Sequence, residues 1–376
     1  MSKWFLVFCL LLKKGVTSQV VKEKVKKILN YAASIAVAAI LLYFSFKDVE
    51  WSSFWAAMKA CRWAYVIFSM LVGVFAFWTR GLRWRELLLP IDETTKKRTC
   101  FNAVNISYVV NMVLPRVGEI VRCGFINKHS APTDDGRRKA TIDKVFGTVL
   151  VDRLWDVLML GLVGVGVFAL MWNRFGSFFG NFQFHRSMSV SSKLILIVLV
   201  VLLVVLLFFS WKRRNKGGFL SKIWGVVRGI WQGIGSCLHM KSWWKFILYS
   251  LVIWFCYWMM SFSIIWAVQG MDTSLLDSAM VSFVEKLQAL DGRDALFLMI
   301  AGSLSSLVPV PGGFGAFHYV ITLALSTIYG IPTEIGIIFA TLSHESQALI
   351  QIICGGLSYV YESLSKPTER IVTKAE

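Results

Sequence analysis

The chain has 376 residues, of which 56% are hydrophobic, and its mean hydropathy is +0.61. This apolar fraction is larger than a soluble core requires, so we predict a polytopic integral membrane protein without a soluble catalytic domain. The net charge of +18 comes from short basic runs between hydrophobic blocks, not from one basic face, which excludes nucleic acid as the expected partner.

Six hydrophobic blocks are long enough to cross a bilayer as helices. Residues 1–25 are predicted to form a cytoplasmic or interfacial lead-in, with a signal-like segment as the alternative, and residues 362–376 a cytoplasmic tail. Residues 26–361 are predicted to form one all-α transmembrane helix bundle, with halves at about 26–172 and 194–361. The predicted spans are Ile28–Phe46, Trp63–Trp78, Val145–Trp172, Leu194–Trp211, Phe246–Val268 and Ile335–Tyr359.

Two further hydrophobic stretches, Ala103–Ile126 and Ala295–Tyr329, are interrupted by Pro and Gly at residues 115–118 and 309–313. Each arm has roughly 12–14 residues, which is too short to cross a bilayer at about 1.5 Å per residue. Broken backbone is tolerated at membrane depth only where it is buried in protein or lines a polar cavity. We therefore predict two re-entrant helical hairpins.

Loop charge orients the predicted helices. The predicted cytoplasmic segments carry 30 Lys and Arg, and the predicted outer loops carry 8. This excess places both termini inside. Each half then has the order span, span, broken hairpin, span, and the second half is inverted relative to the first, as in alternating-access carriers. The cytoplasmic segments are 1–27, 80–102, 122–144, 212–245 and 361–376.

Charged residues in the first hairpin suggest an anion site. A charged side chain inside a span costs about 2.5–3.5 kcal/mol on insertion scales, so each needs a partner or a function. Arg116, Glu119 and Arg122 would share one face of a helix that begins after Pro115, and two guanidiniums near its free N–H groups suit a phosphate or carboxylate. The alternative is that Arg116 and Glu119 pair with each other and lock the hairpin.

The third span carries Asp152, Arg153 and Asp156, and the two aspartates lie on one helix face because they are four residues apart. They form either an ion-paired strut to Arg116 or Arg122, or counter-charges that release the hairpin arginines when substrate or a proton arrives.

The segment Pro309-Val-Pro311-Gly312-Gly313-Phe-Gly315 is rich in glycine, which allows positive φ and exposes N–H groups that could form an anion nest. The alternative is a tight turn needed only for packing. The segment lacks the Lys-Ser/Thr of a P-loop, so we do not expect nucleotide hydrolysis.

His318, His344 and Glu345 are interpreted either as a proton relay or as buried histidines bonded to the adjoining hairpin. The sequence contains no Ser-His-Asp set, H-E-x-x-H or C-x-x-C motif. We therefore expect no catalytic residues, no metal site and no cofactor.

Residues 111–122 and 309–315 resemble the two signature stretches of the lysylphosphatidylglycerol synthase transmembrane-region family of flippase-like membrane proteins. Residues 152–156 resemble its third motif, and the resemblance covers about 26–360. It implies a domain that moves an aminoacylated phospholipid between leaflets, while a separate soluble domain attaches the amino acid. That transferase domain is expected to be missing here. Ala316-Phe317-His318 stands where the family often has an acidic residue.

The motifs give two groups of candidate residues. The substrate-binding candidates are Asn111, Pro115, Arg116, Gly118, Glu119, Arg122, Pro311, Gly312, Gly313 and Gly315. The charge-balancing or proton-relay candidates are Asp152, Arg153, Asp156, His318, His344 and Glu345.

The leading hypothesis is a non-enzymatic translocase in the bacterial cytoplasmic (inner) membrane, whose partners are membrane lipids with anionic headgroups or lipid-linked precursors. A separate lipid-modifying enzyme would be compatible as a further partner. The alternatives are a small-anion transporter, an intramembrane transferase, and a non-catalytic accessory protein of envelope lipid or polysaccharide synthesis.

Overall fold

The computed structural model describes residues 32–47, 49–171, 240–276, 278–308 and 310–365, and no β-strand occurs in these ranges. The predicted all-α class is therefore confirmed for them. The first six helices are α1 (Ala32–Phe46), α2 (Trp51–Ala60), α3 (Trp63–Leu88), α4 (Lys97–Val113), α5 (Val117–His129) and α6 (Ile142–Leu170). The remaining five are α7 (Trp243–Gln269), α8 (Ser278–Leu287), α9 (Gly292–Ser305), α10 (Ala316–Tyr329) and α11 (Thr333–Leu364).

Helices α3, α6, α7 and α11 are long and apolar enough to cross a membrane, and α1 with α2 forms a fifth candidate if this pair, bent by 85°, is one span. They correspond to four of the six predicted spans, or to five if the bent pair is counted as one span. The sixth, Leu194–Trp211, lies outside the described residues, as do the predicted lead-in and residues 366–376 of the tail. Only 11% of the most apolar window of α6 is buried, so this helix presents apolar side chains outward, as expected for contact with lipid.

The predicted end of the second span at Trp78 was wrong. Helix α3 continues ten residues further, to Leu88, and Arg80 and Arg83 lie buried inside it instead of in a cytoplasmic loop. Arg122, also assigned to a cytoplasmic segment, is buried on α5. Ion pairing explains the difference, because carboxylates on neighbouring helices neutralise these arginines. Without the three arginines, the predicted cytoplasmic segments still carry 27 basic residues, against 8 in the predicted outer loops.

Both interrupted stretches consist of two packed helices joined by a sharp break. In the first, α4 packs against α5, and Arg116 between them has a φ of 67°. Gly118 lies so close to α4 that a Cβ there would overlap the Ser107 carbonyl oxygen and lie 2.7 Å from Asn111 Oδ1. In the second, α9 packs against α10. Asp291 starts α9 with a capping box, and Gly330 ends α10 in the left-handed conformation.

The packing of the two halves follows one pattern. Helix α3 packs along α7, and each of these helices also contacts the first arm of its own hairpin, α4 or α9. The second arms, α5 and α10, contact the following long helices, α6 and α11. The first arms also cross over, because α4 contacts α11 and α9 contacts α6. The pairs α3–α7, α4–α9, α5–α10 and α6–α11 therefore occupy corresponding positions.

The two breaks lie against each other. The turn Pro311–Gly313 contacts α4, and a Cβ on Gly312 would lie 3.7 Å from the Cα of Met112. Pro309, which marks the second break in the sequence, lies outside the described residues. The second turn therefore lies beside the end of α4, where the first break begins, and each break is close to a group of ionisable side chains.

Candidate functional site

A buried cluster of charged side chains joins α3 to α6. Arg83 is fully buried, and its Nη2 donates to Asp152 Oδ1 and to Asp156 Oδ1, each at 2.7 Å. Arg80, one turn earlier on α3, donates to Asp156 Oδ2 at 2.8 Å and to the Tyr257 hydroxyl on α7 at 2.7 Å. Arg80 and Arg83 lie on one face of α3 because they are three residues apart, and Asp152 and Asp156 lie on one face of α6 because they are four residues apart. These two faces meet.

Helix α5 joins the same cluster. Arg122 Nη2 lies 2.7 Å from Glu119 Oε2, and Arg122 Nη1 lies 3.7 Å from Asp152 Oδ2. Glu119 also accepts a hydrogen bond from Arg153, whose other terminal nitrogen lies 3.7 Å from Asp156. The cluster therefore connects α3, α5 and α6 through ion pairs, and α7 through one tyrosine.

The cluster runs from a dry interior to an accessible edge. The side chains of Arg83, Arg122 and Asp152 are at most 2% exposed, and the indole of Trp84 lies 4.7 Å from the Arg122 guanidinium. The side chain of Arg153, by contrast, is 39% exposed. A ligand that approaches from outside the helices would meet Arg153 and its partner Glu119 first.

The cluster carries more positive than negative charge. Its four guanidiniums face three carboxylates, which leaves one positive charge in excess. Glu86 is also buried on α3, but it is not counted in the cluster because it forms no ion pair with any described residue. Arg83 Nε and Nη1 and Arg122 Nε are buried without a hydrogen-bond partner among the described residues. Buried donors without partners cost free energy, so the cluster has spare capacity to bind an anion.

Arg116 lies outside this cluster. Its left-handed backbone places it before the first turn of α5, where its side chain is exposed and pairs with no described residue. The prediction that Arg116, Glu119 and Arg122 share one helix face therefore holds only for Glu119 and Arg122, because Arg116 lies before the first residue of α5. The alternative pair between Arg116 and Glu119 is not formed, since Glu119 pairs with Arg122 and Arg153.

Asn111, Pro115 and Gly118 build the turn that carries Arg116. The N–H of Gly118 donates to Asn111 Oδ1 at 2.8 Å, which caps the start of α5 from the end of α4. This N–H is therefore occupied within the hairpin. The sequence analysis had instead expected the N–H groups at this helix start to be free to bind a ligand. The substrate-binding role of Asn111, Pro115 and Gly118 stays a prediction.

The glycine-rich turn uses part of its own N–H groups. Gly312, Gly313 and Gly315 have φ of 60°, 79° and 79°. The N–H of Gly313 donates to Val310, and the N–H of Phe314 donates to Pro311. Two of the N–H groups that the predicted anion nest would use are therefore already bonded within the turn.

His318, His344 and Glu345 come together beside this turn. Glu345 Oε1 lies 3.2 Å from His318 Nε2 and 3.2 Å from His344 Nδ1. His344 Nε2 lies 3.0 Å from the carbonyl oxygen of Gly312. The structure thus brings all three predicted residues into one group. This group lies in the second half of the chain, whereas the ion pairs of the charged cluster lie in the first half.

Sequence reasoning missed Arg80, Arg83 and Tyr257. The signal for the two arginines was their spacing, which puts them on one face directly after a hydrophobic run, opposite an equally spaced pair of aspartates. Tyr257 is one of many aromatic residues in α7, and nothing in the sequence sets it apart.

Comparisons with known proteins agree with this architecture. The family described as "Lysylphosphatidylglycerol synthase TM region" matches residues 31–355. The chain is also similar to "Glycosyltransferase AglD" of Haloferax volcanii, with 28% identity over 105 residues, which is 27% of this chain and 17% of that protein. The chain thus matches less than a fifth of the length of this relative. No solved structure matches. Both similarities associate this multi-pass membrane protein with lipid or glycan metabolism, and the chain belongs to the lysylphosphatidylglycerol synthase transmembrane-region family.

Proposed function

We propose that the chain is a translocase for a phospholipid or another lipid-linked anionic substrate in the cytoplasmic membrane, and that it is not itself an enzyme. The observation that carries this proposal is the surplus of guanidinium over carboxylate in the cluster, together with buried guanidinium N–H groups that have no hydrogen-bond partner among the described residues. A phosphate supplies both the negative charge and the acceptor oxygens that such a site needs.

The headgroup enters at the accessible edge of the cluster. A phosphate there competes with Glu119 for Arg153 and Arg122, and the exposed guanidinium of Arg116 lies just before the same helix. Exchange of one anion for another keeps the charges paired throughout, which avoids the large cost of an uncompensated buried charge. The apolar outer surface of α6 lets acyl chains stay in lipid while the polar group moves.

The hairpins α4–α5 and α9–α10 are proposed to be re-entrant, to enter from opposite leaflets, and to belong to two inverted repeats with both termini inside. The corresponding contacts of the two halves support this layout, since each first arm crosses to the long helix of the other half. The contact between the two breaks supports a shared central site. Repeats that rock around such a site would expose it to each side in turn.

Reconstituted protein in liposomes tests the proposal. We would measure transbilayer movement of a fluorescent anionic phospholipid in wild-type protein and in the Arg153→Gln and Arg116→Gln variants. The variant Lys241→Gln is the matched control, because it removes one charge from a pair that is 89% and 78% exposed. We expect both test variants to slow movement about tenfold or more, equivalent to about 1.4 kcal/mol, and the control to match wild type.

Four results would contradict the proposal. Movement no faster than in protein-free liposomes would refute lipid translocation, and equal rates in all variants would remove the cluster from the mechanism. Release of trapped phosphate without lipid movement would favour a small-anion transporter instead. A glycosyl transfer activity, suggested by the name of the relative, would appear as product formation when a sugar nucleotide and a lipid phosphate are supplied.

A further inference from the structure

The group formed by His318, His344 and Glu345 has the geometry of a metal site. His318 is on α10, and His344 and Glu345 are adjacent on α11, so the group connects two helices. One ring nitrogen from each histidine and one oxygen of Glu345 all lie within 4.8 Å of one another. The two nitrogens that approach Glu345 Oε1 do so at the same distance, 3.2 Å.

The hydrogen bond of His344 determines which of its nitrogens is free. Its Nε2 lies 3.0 Å from the carbonyl oxygen of Gly312, and a carbonyl can only accept, so Nε2 carries a proton. In a neutral imidazole, Nδ1 is then a lone pair, and here it points at a carboxylate oxygen. Two lone pairs at this distance repel, so either a second proton on Nδ1 or a metal ion lies between the two atoms. A metal-bound histidine commonly donates its other N–H to a carbonyl in this way.

The two contacts of Glu345 have the spacing of metal ligands and lie at the long end of the hydrogen-bond range. Charge-assisted hydrogen bonds between a protonated nitrogen and a carboxylate are about 2.7–2.9 Å long. The Arg83–Asp152 pair in this protein, at 2.7 Å, shows that value, whereas both contacts of Glu345 are 3.2 Å. Ligands held at about 2.0–2.1 Å from a tetrahedral Zn²⁺ lie about 3.3 Å apart, which matches the contacts of Glu345.

The surroundings of the two histidines are apolar. The rings of Phe46, Phe314 and Phe317 pack against the two histidines, and His318 is 1% exposed. The Glu345 side chain is 41% exposed, but its Oε2 atom is buried without a hydrogen-bond partner among the described residues. It is available as a further ligand atom, because a carboxylate can bind a metal through both oxygens.

We propose that His318 Nε2, His344 Nδ1 and Glu345 Oε1 bind a divalent transition-metal ion of the Zn²⁺ class. Two imidazoles and one carboxylate are a ligand set that such ions accept, and a water or Glu345 Oε2 completes four-coordination. The bound ion ties α10 to α11, and the bond from His344 to Gly312 extends this link to the turn between α9 and α10. It thereby fixes the second hairpin at the point where it meets α4.

Metal content of tag-free protein in detergent tests this site. After equilibration with Zn²⁺ and removal of free ion, we expect about one bound Zn²⁺ per chain in wild-type protein. Glu345→Gln keeps the size of the side chain but loses the charge, and we expect at least tenfold weaker binding in this variant and in His318→Ala. His129→Ala is the matched control, because His129 is an exposed histidine that is likewise bonded to a glutamate, Glu362, and we expect it to bind Zn²⁺ as wild type does.

Cobalt provides a second readout that does not depend on any variant. Co²⁺ in a four-coordinate site absorbs strongly in the visible range, so wild-type protein loaded with Co²⁺ should show these bands, and added Zn²⁺ should remove them. Absence of stoichiometric Zn²⁺ together with absence of the Co²⁺ bands would overturn the proposal. Zn²⁺ binding that is unchanged in folded Glu345→Gln protein would also overturn it.

Discussion

Replacement of Arg83 by methionine tests whether the buried cluster holds α3 to α6. Arg83 makes two ion pairs of 2.7 Å, with Asp152 and Asp156, and its side chain is completely buried. Removal of one partner of a buried pair costs about 3–5 kcal/mol, because the other charge is left without compensation. Arg122 and Arg80 remain 3.7 Å and 3.9 Å from Asp152, so we expect the lower end of this range, about 3 kcal/mol.

The free energy of unfolding would be measured by reversible denaturation with SDS in mixed micelles. The double variant Arg83→Met/Asp152→Asn removes one charge of each sign and restores the original balance. We therefore expect it to be less destabilised than the sum of the single variants, with a coupling on the order of 2 kcal/mol. Lys241→Met, in an exposed pair with Glu93, should change stability by less than about 0.5 kcal/mol.

Two results would refute this reasoning. A loss below about 1 kcal/mol for Arg83→Met would mean that the other arginines, or water, fully replace it. Additive effects of Arg83→Met and Asp152→Asn would mean that the two side chains do not interact energetically in the folded protein, whatever their distance.

Three further substitutions probe the turns and loops. Gly118→Ala should destabilise the protein by about 1–3 kcal/mol, because its Cβ would push α5 away from the Ser107 carbonyl. Arg116→Gly should stabilise it by about 1 kcal/mol, because glycine adopts the φ of 67° without strain, while lipid movement slows if the guanidinium binds headgroups. Asp92→Ala should cost about 1–3 kcal/mol at neutral pH, because it removes the acceptor of several loop hydrogen bonds.

Each of these substitutions has its own check in unfolding measurements. Gly124→Ala is the control for Gly118, since nothing lies within 4 Å of a Cβ there, and it should be neutral or stabilising by up to about 1 kcal/mol. An Arg116→Gly protein that is less stable than wild type would show that the side chain, not backbone strain, dominates at this position.

The effect of Asp92 depends on pH in a defined direction. Burial raises the pKa of Asp92, but hydrogen bonds from Thr94, Ser130 and Ala131 outweigh burial and hold the pKa below its ordinary value of 3.8. A carboxyl with a lowered pKa in the folded state contributes stability above its ordinary pKa and loses it as pH falls through the folded value. The difference between wild type and Asp92→Ala should therefore be constant near neutral pH and shrink below about pH 3.8. A difference that grew on acidification would contradict this assignment.

Much of the site could be predicted from the sequence, because insertion of a charge into a membrane is costly wherever it occurs. Asp152, Asp156, Glu119 and Arg122 were recognised as residues that require partners, and the structure places them in one cluster. Arg83 was missed because hydropathy falls where charges begin, so the predicted helix stopped before it. A hydropathy average scores each charged residue alone, so a predicted span ends at the first charges. It contains no information on an opposite charge that neutralises them.

What the sequence by itself determined is local: helical segments, the breaks at proline and glycine, and the few ionisable groups that need compensation. These follow from hydropathy, from the 3.6-residue period and from the φ that each residue type allows. Only the tertiary structure decided which charges meet. Partner choice depends on how whole helices pack, and packing joined Arg83 to Asp152, separated Arg116 from Glu119, and brought His318 beside Glu345 across 27 positions of the chain.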